Sequence, residues 1–375
     1  MTPNRTGRGL ALSGALCALA FGVAACGSSD SKSSSSTSKA ASSDKKAGKV
    51  AVLLPDTKSS ARWETADRPL LAAAFKAAGV DATIQNAQGD TSTQQQQAEQ
   101  AITNGAKVLL LTNLDSGSGA AIETAAAAKG VKVIDYDRLT LKGKANYYVS
   151  FDNVKVGKLQ GQGLVDCLQS AGVSKPTVAE LNGSPDDNNA TLFAQGYNSV
   201  LDPMYSSGKF AKGPNQAVPD WDNQNALQIF EQMLQKTNNK IDAVLAANDG
   251  LGNAAISALK ARKLKPIPVT GQDATAEGIQ NILAGDQCMT VYKAIKKEAD
   301  AASKLAIAVA KGTAPEAGLV NGKSDDGARQ VPSVLLTPVT VTKDNIKDTV
   351  IKDGFLKREE ICTGKFAAAC TKAGI

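Results

Sequence analysis

Short aliphatic runs alternate with longer helical stretches through most of this chain, and many of the helical stretches stop at a glycine. That alternation constrains the fold more than any other feature. Residues 50–54 form an apolar run ended by Pro55, and residues 63–78 have helical spacing that stops at Gly79. Residues 82–85 read as a short strand, 91–104 as a polar-faced helix closed by Gly105, and 108–111 as a buried strand. Residues 116–129 form an Ala-rich helix closed by Gly130, with a strand at 131–136 directly behind it. Helices that end in glycine and run at once into an aliphatic stretch mark βαβ units. Parallel strands are covered on both faces, so they read as unbroken apolar runs.

The pattern resumes after Tyr147-Tyr148-Val149. Helices are expected at 153–170, 188–201, 223–235, 250–261 and 277–283, and strands at 177–181, 241–246 and 267–270. The fold class is therefore α/β, with two doubly wound halves. A chain of 375 residues has room for both.

In open α/β sheets, ligands bind beyond the carboxyl ends of the strands. Planar polar side chains stand at nearly every such end. Asp56, Arg62 and Trp63 follow the first strand, and Asp137 and Arg138 follow 131–136. Asn182, Gly183, Ser184 and then Asp186-Asp187-Asn188-Asn189 follow 177–181. Asn248 and Asp249 follow 241–246, Gly271-Gln272-Asp273 follows 267–270, and Val291-Tyr292 leads into Lys293. Asp accepts hydrogen bonds, Arg and Lys donate them, and Asn does both, which together suits hydroxyl groups that donate and accept at once. Trp63 and Trp221 are the two tryptophans of a chain only 4% aromatic, and both fall beside polar clusters. Taken singly, Asp-Asn-Gly clusters at strand ends are turns and helix caps. The constellation is what argues for a site.

The N-terminus bears on location. Arg5 and Arg8 precede an uncharged, apolar stretch at 10–23, the form of a signal peptide and short for a membrane span. It ends in Val23-Ala24-Ala25-Cys26-Gly27, which matches a bacterial lipobox with Cys26 as the lipidated residue. Residues 28–46 are Ser, Lys, Asp and Thr with almost nothing apolar, a flexible tether. The net charge is +6, of which Arg5 and Arg8 supply two, so the chain after residue 25 carries +4. No basic run with interleaved aromatics occurs, so nucleic acid is not an expected partner. The chain has no histidine, which removes Ser–His and Cys–His catalysis and His-containing metal sites. Cys167, Cys288, Cys362 and Cys370 remain after Cys17 and Cys26, with no C-x-x-C spacing and three possible pairings. Cys362 and Cys370, close in sequence, are expected to pair; Cys167 and Cys288 stay open between a bridge and two buried thiols.

At these residues the sequence resembles the D-xylose-binding periplasmic proteins of sugar ABC transporters and the related multiple-sugar-binding proteins. The matching stretches are Tyr136-Asp137-Arg138, Tyr148-Val149-Ser150-Phe151-Asp152-Asn153, Gly183-Ser184-Pro185-Asp186-Asp187-Asn188-Asn189-Ala190, Asn248-Asp249, Gly271-Gln272-Asp273-Ala274 and Met289-Thr290-Val291-Tyr292-Lys293. Val331-Pro332-Ser333 and residues 344–350 continue the match in the same order, so that it covers almost all of 49–355. Residues 57–63 look more like the multiple-sugar relative, and residues 360–375 lie outside the family pattern.

The resemblance implies a type I periplasmic-binding fold of two lobes joined by a three-strand hinge. The N-terminal lobe is expected at 48–152 plus 273–312 and the C-terminal lobe at 153–272 plus 313–359. A signal peptide at 1–25, a tether at 26–47 and a tail at 360–375 complete the organisation. Carried over position by position, the solute-binding residues are Arg62, Trp63, Asp137, Arg138, Asp187, Asn189, Trp221, Asn248, Asp273 and Lys293. The implied function is non-enzymatic. A monosaccharide, D-xylose foremost, binds between the lobes of a monomer held on the outer face of the cytoplasmic membrane by its lipid alone, and is passed to ABC permease subunits. No cofactor or metal is implied. The alternative is a broader aldose binder (arabinose, glucose, galactose) that serves as a sensor for a membrane receptor. A glycosidase would need two carboxylates about 5–10 Å apart, one of them held protonated. Asp137, Asp187 and Asp273 are flanked by Arg, Asn or Gln, which favours ionised acceptors instead.

Overall fold

A computed structural model describes residues 47–375. The expected signal peptide, the lipidated Cys26 and all but the end of the tether lie outside the described residues. The order opens with β1 (Lys49–Leu54), a π-helical turn at Trp63–Asp67, α1 (Arg68–Ala77), β2 (Ala82–Asn86), α2 (Thr91–Thr103), β3 (Ala106–Leu111), α3 (Ser116–Ala128), β4 (Lys132–Tyr136) and β5 (Tyr147–Phe151). It continues through α4 (Asn153–Ser170), β6 (Thr177–Asn182), α5 (Asn188–Ser206), β7 (Ala211–Ala217), α6 (Asn223–Lys236), β8 (Ala243–Ala246), α7 (Asp249–Ala261), α8 (Ala276–Ala284) and β9 (Thr290–Tyr292). Last come α9 (Ile295–Lys311), β10 (Gly322–Asp325), β11 (Gln330–Leu336), β12 (Val339–Val341), α10 (Arg358–Ile361) and α11 (Ala367–Lys372).

The first lobe is built on a seven-stranded sheet in the order β10-β11-β5-β4-β3-β1-β2, parallel except for β10. β1 and β3 are interior strands of this sheet, and from Val50 and Val108 onward their residues are buried throughout, as the aliphatic runs require. The second lobe has a parallel sheet β7-β6-β8 and a separate antiparallel pair β12-β9. The chain passes between the lobes at β5 to α4, at β9 to α9 and at β11 to β12.

Two lobe boundaries differ from the sequence expectation. Residues 273–292 pack with the second lobe, not the first: Met289 and Val291 sit in its core, and α8 lies against α7. The crossing comes later, where α9 enters the core of the first lobe through Ala299, Ala302 and Leu305. Residues 322–336 belong to the first sheet, since β11 pairs with β5. The expected strand at 267–270 is reduced to one bridge, Val244 to Val269. Pro266 and Pro268 carry no N–H and so offer the sheet no ladder donor there. Residues 360–375 form a packed cap on α8, with Ile361 and Cys370 fully buried. Among the described residues there are two disulfides, Cys362–Cys370 within that cap and Cys167–Cys288, which ties α4 to the segment before β9.

Six helices start at an Asp or Asn whose side chain accepts a backbone N–H of the first turn: α2 at Asp90, α3 at Asp115, α4 at Asp152, α5 at Asp187, α6 at Asp222 and α7 at Asn248. Helices α4 and α5 pack through glycine. A Cβ on Gly157 would lie 2.0 Å from the carbonyl oxygen of Phe193, so the backbones meet where no side chain fits. Gly157→Ala is expected to lower stability by about 1–3 kcal/mol through overpacking. Urea denaturation reads this; an unchanged midpoint would contradict the close approach.

Candidate functional site

The strands of both sheets point their carboxyl ends at the gap between the lobes. All ten residues selected from the sequence line one cavity there, together with Ser59, Ser60, Phe193 and Gln272. It is tight, with a free volume of about 30 Å³, enough for a few water-sized groups between the side chains.

The wall from the first lobe is organised by Arg62. Its Nε and Nη2 donate to the two carboxylate oxygens of Asp67 at 2.9 and 2.8 Å. Nη2 also donates to Glu298 Oε2 at 2.6 Å, and Nη1 to Asp137 Oδ2 at 2.8 Å. The Tyr136 hydroxyl donates to Asp67 as well. Four of the five guanidinium N–H groups are thus committed, and one on Nη1 is left over. Burial works against the charge on Arg62, but Asp67, Glu298 and Asp137 outweigh it and hold the group protonated. Trp63 lies against this cation, its ring centroid 4.5 Å from Arg62 Cζ and 5.7 Å from Arg138 Cζ.

Asp137 joins the lobes. It accepts from Asn189 Nδ2 at 3.1 Å and stands 3.7 Å from Lys293 Nζ. Burial alone would raise its pKa, yet Lys293, Arg62 and Arg138 pull it below the usual carboxylate value. Lys293 also meets Asp273 at 3.3 Å; burial opposes its charge, and the two aspartates more than restore it. A second link between lobes is Arg138 Nε to Asp187 Oδ2 at 3.2 Å. Asp187 departs from the sequence expectation, because burial raises its pKa in spite of Arg138. It accepts from Trp221 Nε1 at 3.1 Å and from the Asn189 N–H at 2.9 Å.

Trp221 packs edge-on to Phe193, with centroids 6.3 Å apart. A Cβ at Gly183 would come within 2.0 Å of the Trp221 ring, so only glycine allows the indole to lie there. Both tryptophans are buried, at 2% exposure for Trp63 and 6% for Trp221, and each belongs to a lobe core while facing the cavity. The capping and site readings coincide in the same way. Asp187 and Asn248 cap α5 and α7 and also line the cavity. Asp137, Asp220, Trp221 and Asp273 all have positive φ, at 63°, 56°, 54° and 95°, a strained conformation for residues with a Cβ that concentrates at functional sites.

On the cavity wall Gln272 Oε1 has no hydrogen-bond partner, while Asp273 Oδ1 and Arg138 Nε have their ion-pair neighbours, Lys293 and Asp187, but make no well-aligned hydrogen bond. Glu298 Oε1, behind Arg62, has no hydrogen-bond partner either. Buried polar groups in proteins are mostly paired, and among the described residues atoms away from the cavity such as Gln94 Oε1 and Gln160 Oε1 are exceptions as well. Gln272 and Phe193 were not selected from the sequence. Phe193 follows Asn189 by four residues on α5, so a helical-face reading would have placed the two side by side. Glu298 lies on α9, a helix the strand-and-glycine pattern does not reveal.

Residues 50–314 match a family described as periplasmic binding protein domain. A D-xylose-binding periplasmic protein of Escherichia coli K12 is 40% identical over 317 residues, covering 84% of this chain and 93% of its own. The chain belongs to the periplasmic binding protein family. Its fold is the type I fold of that family. A multiple sugar-binding periplasmic receptor of Rhizobium radiobacter is 36% identical, over 84% of this chain and 92% of its own. An ABC transporter solute-binding protein of Clostridium phytofermentans, solved with bound β-D-glucose, superposes with a TM-score of 0.77 at 30% identity, covering 84% of this chain and 99% of that one.

Arg62→Ala would leave Asp67, Glu298 and Asp137 facing one another in a buried space and is expected to cost about 3–5 kcal/mol of stability, read by thermal denaturation. Burial pushes Glu298 from the ordinary 4.5 up to about 8, against the pull of Arg62. Between those values the folded chain keeps a proton that the unfolded chain releases, so stability should fall as pH rises toward 8. Denaturation of Glu298→Gln over the same interval should show a shallower decline; an identical slope would remove Glu298 as its source.

Proposed function

We propose that this chain is the substrate-binding component of a sugar ABC importer, taking a monosaccharide between its lobes and presenting the closed form to membrane permease subunits. The observation that carries the reading is a cavity between the lobes lined by Trp63, Trp221 and buried polar groups that are not fully hydrogen-bonded: Gln272 Oε1 has no partner, and Asp273 Oδ1 and Arg138 Nε have ion-pair neighbours but no well-aligned hydrogen bond. Sugar hydroxyls donate and accept, and so supply what both carbonyl-type acceptors and a guanidinium lack. The C–H face of a sugar ring fits an indole. Three cations, Arg62, Arg138 and Lys293, stand against four aspartates, Asp67, Asp137, Asp187 and Asp273, with Glu298, pushed up to about 8, beside them. A site with no surplus of positive charge disfavours phosphorylated or acidic solutes.

D-Xylose is the first candidate, since the E. coli relative is named for it. Broader aldose recognition is the second reading, favoured by residues 57–63 and by likeness to the multiple sugar-binding receptor. The solute contacts proposed are the ten residues chosen from the sequence, with Gln272 added. Binding shifts the population toward the closed form, which the Asp137–Asn189 and Arg138–Asp187 contacts already favour. The protein acts as an exported monomer, with lipidated Cys26 holding it to the outer face of the cytoplasmic membrane.

Calorimetry with D-xylose, L-arabinose, D-glucose, D-galactose and D-ribose tests this. Heat of binding with D-xylose is expected; no heat and no thermal shift with any of the five would overturn the sugar assignment. Trp221→Ala should weaken binding by about 1–3 kcal/mol, as for a desolvated aromatic anchor, and unchanged affinity would take Trp221 out of the site. For the anchor, Cys26→Ser should move the protein from the membrane fraction to the medium; retention on the membrane would contradict lipidation at that residue.

A further inference from the structure

Asp249 is a fully buried carboxylate one residue beyond Asn248, and it does not line the cavity. Its surroundings are unusually specific. Its backbone N–H donates to the Gln272 carbonyl at 2.9 Å. Its Oδ2 accepts from the Thr275 N–H at 2.7 Å and from Thr275 Oγ1 at 3.1 Å. Its Oδ1 accepts from Gln287 Nε2 and Thr290 Oγ1, both at 2.8 Å. The loop that carries Asp273 is therefore gripped on both sides by one residue, at Gln272 and at Thr275.

Between those grips, Asp273 and Ala274 both hold positive φ, at 95° and 53°. Such a conformation persists only where its surroundings over-determine it. Two glycines leave room for the grip: a Cβ at Gly271 would lie 2.0 Å from Asp249 Oδ1, and one at Gly278 2.4 Å from Oδ2. Thr290 opens β9, whose far end delivers Lys293. Thr290 Oγ1 also accepts from the Ala274 N–H at 3.2 Å, and the Asp273 N–H donates to Val291 at 2.9 Å. The strained loop and the strand behind it are thus fastened to the same carboxylate.

We infer that Asp249 is a positioning residue for the solute site, its carboxylate locking the 272–275 loop to β9 so that Asp273 and Lys293 are held as a preset pair facing the cavity. This inference rests on the functional reading above. Asp249 acts through Asp273 and Lys293 and touches no solute. An amide cannot replace it. The Thr275 N–H and the Gln287 amide both need acceptors, and Asn would turn a donor toward one of them.

The test is a double-mutant cycle read by calorimetry with D-xylose. Asp249→Asn should weaken binding about tenfold or more, and Asp273→Ala should weaken it as well. In the Asp273→Ala background, adding Asp249→Asn should cost at least about threefold less affinity than it does alone, because one of the two groups it positions has gone. A residue that only stabilises the fold would cost the same in both backgrounds. Thr290→Val, which removes one donor and keeps the volume, should give a smaller loss with the same non-additivity and serves if Asp249→Asn does not fold. Wild-type affinity in Asp249→Asn, or equal losses in the two backgrounds, would overturn the inference while leaving sugar binding in place. A wild-type chain that binds none of the five sugars would overturn the functional reading and this inference with it.

Discussion

The site depends on the guanidinium of Arg62, buried among Asp67, Asp137 and Glu298. The four residues come from the segment after β1, the π-helical turn, the end of β4 and the first turn of α9. One side chain therefore ties together parts of the first lobe that are distant in sequence, including the helix by which the chain re-enters that lobe. Removing such charges from water costs several kcal/mol for each ion. That cost is met while the chain folds, by four charge-assisted hydrogen bonds. A solute then finds the wall already in place and need not order it, which is how a preset polar site gains affinity.

The charge arrangement passes from this wall to the other lobe through Asp137. It serves Arg62 on one side and Lys293 and Asn189 on the other, and Arg138 repeats the pattern with Asp187. Ion pairs and hydrogen bonds across the gap hold the lobes together, and Gln272 Oε1, without a partner, with Asp273 Oδ1 and Arg138 Nε, ion-paired but without a well-aligned hydrogen bond, leave a specific deficit in the cavity. A bound hydroxylated ring would remove that deficit and stabilise closure by the amount it contributes there and nowhere in an open form. Backbone strain at Asp137, Trp221 and Asp273 shows the same economy, since these side chains are aimed by conformations the surrounding packing must enforce.

Much of this was legible in the sequence because parallel strands are apolar on both faces and their ends are polar. β1, β3, β4 and β6 announce themselves as aliphatic runs, and the ten residues chosen beside strand ends gather around one cavity. What was missed has physical reasons. β7 and β10 are polar and partly exposed edge strands, with no apolar run to betray them. The 267–270 run looks like a strand, but its flanking prolines leave only a bridge. α9 is amphipathic and carries Glu298 inward, so a charged residue sits where a core position was due. The lobe boundaries near 273–292 and 322–336 depend on which sheet a segment joins, and no local pattern encodes that. Cysteine spacing alone could not decide between a Cys167–Cys288 bridge and two thiols, since those residues are 121 positions apart.

The central claim is that the cavity's polar atoms that make no well-aligned hydrogen bond within the chain are the ones a monosaccharide satisfies. The most direct measurement is a crystal structure of the protein with D-xylose bound. The account predicts one sugar in the cavity, with its hydroxyls within about 2.6–3.2 Å of Asp273 Oδ1, the Gln272 amide and Arg138 Nε, and its ring against a tryptophan. A sugar bound elsewhere, or one in the cavity that makes no hydrogen bond to those three atoms, would contradict it.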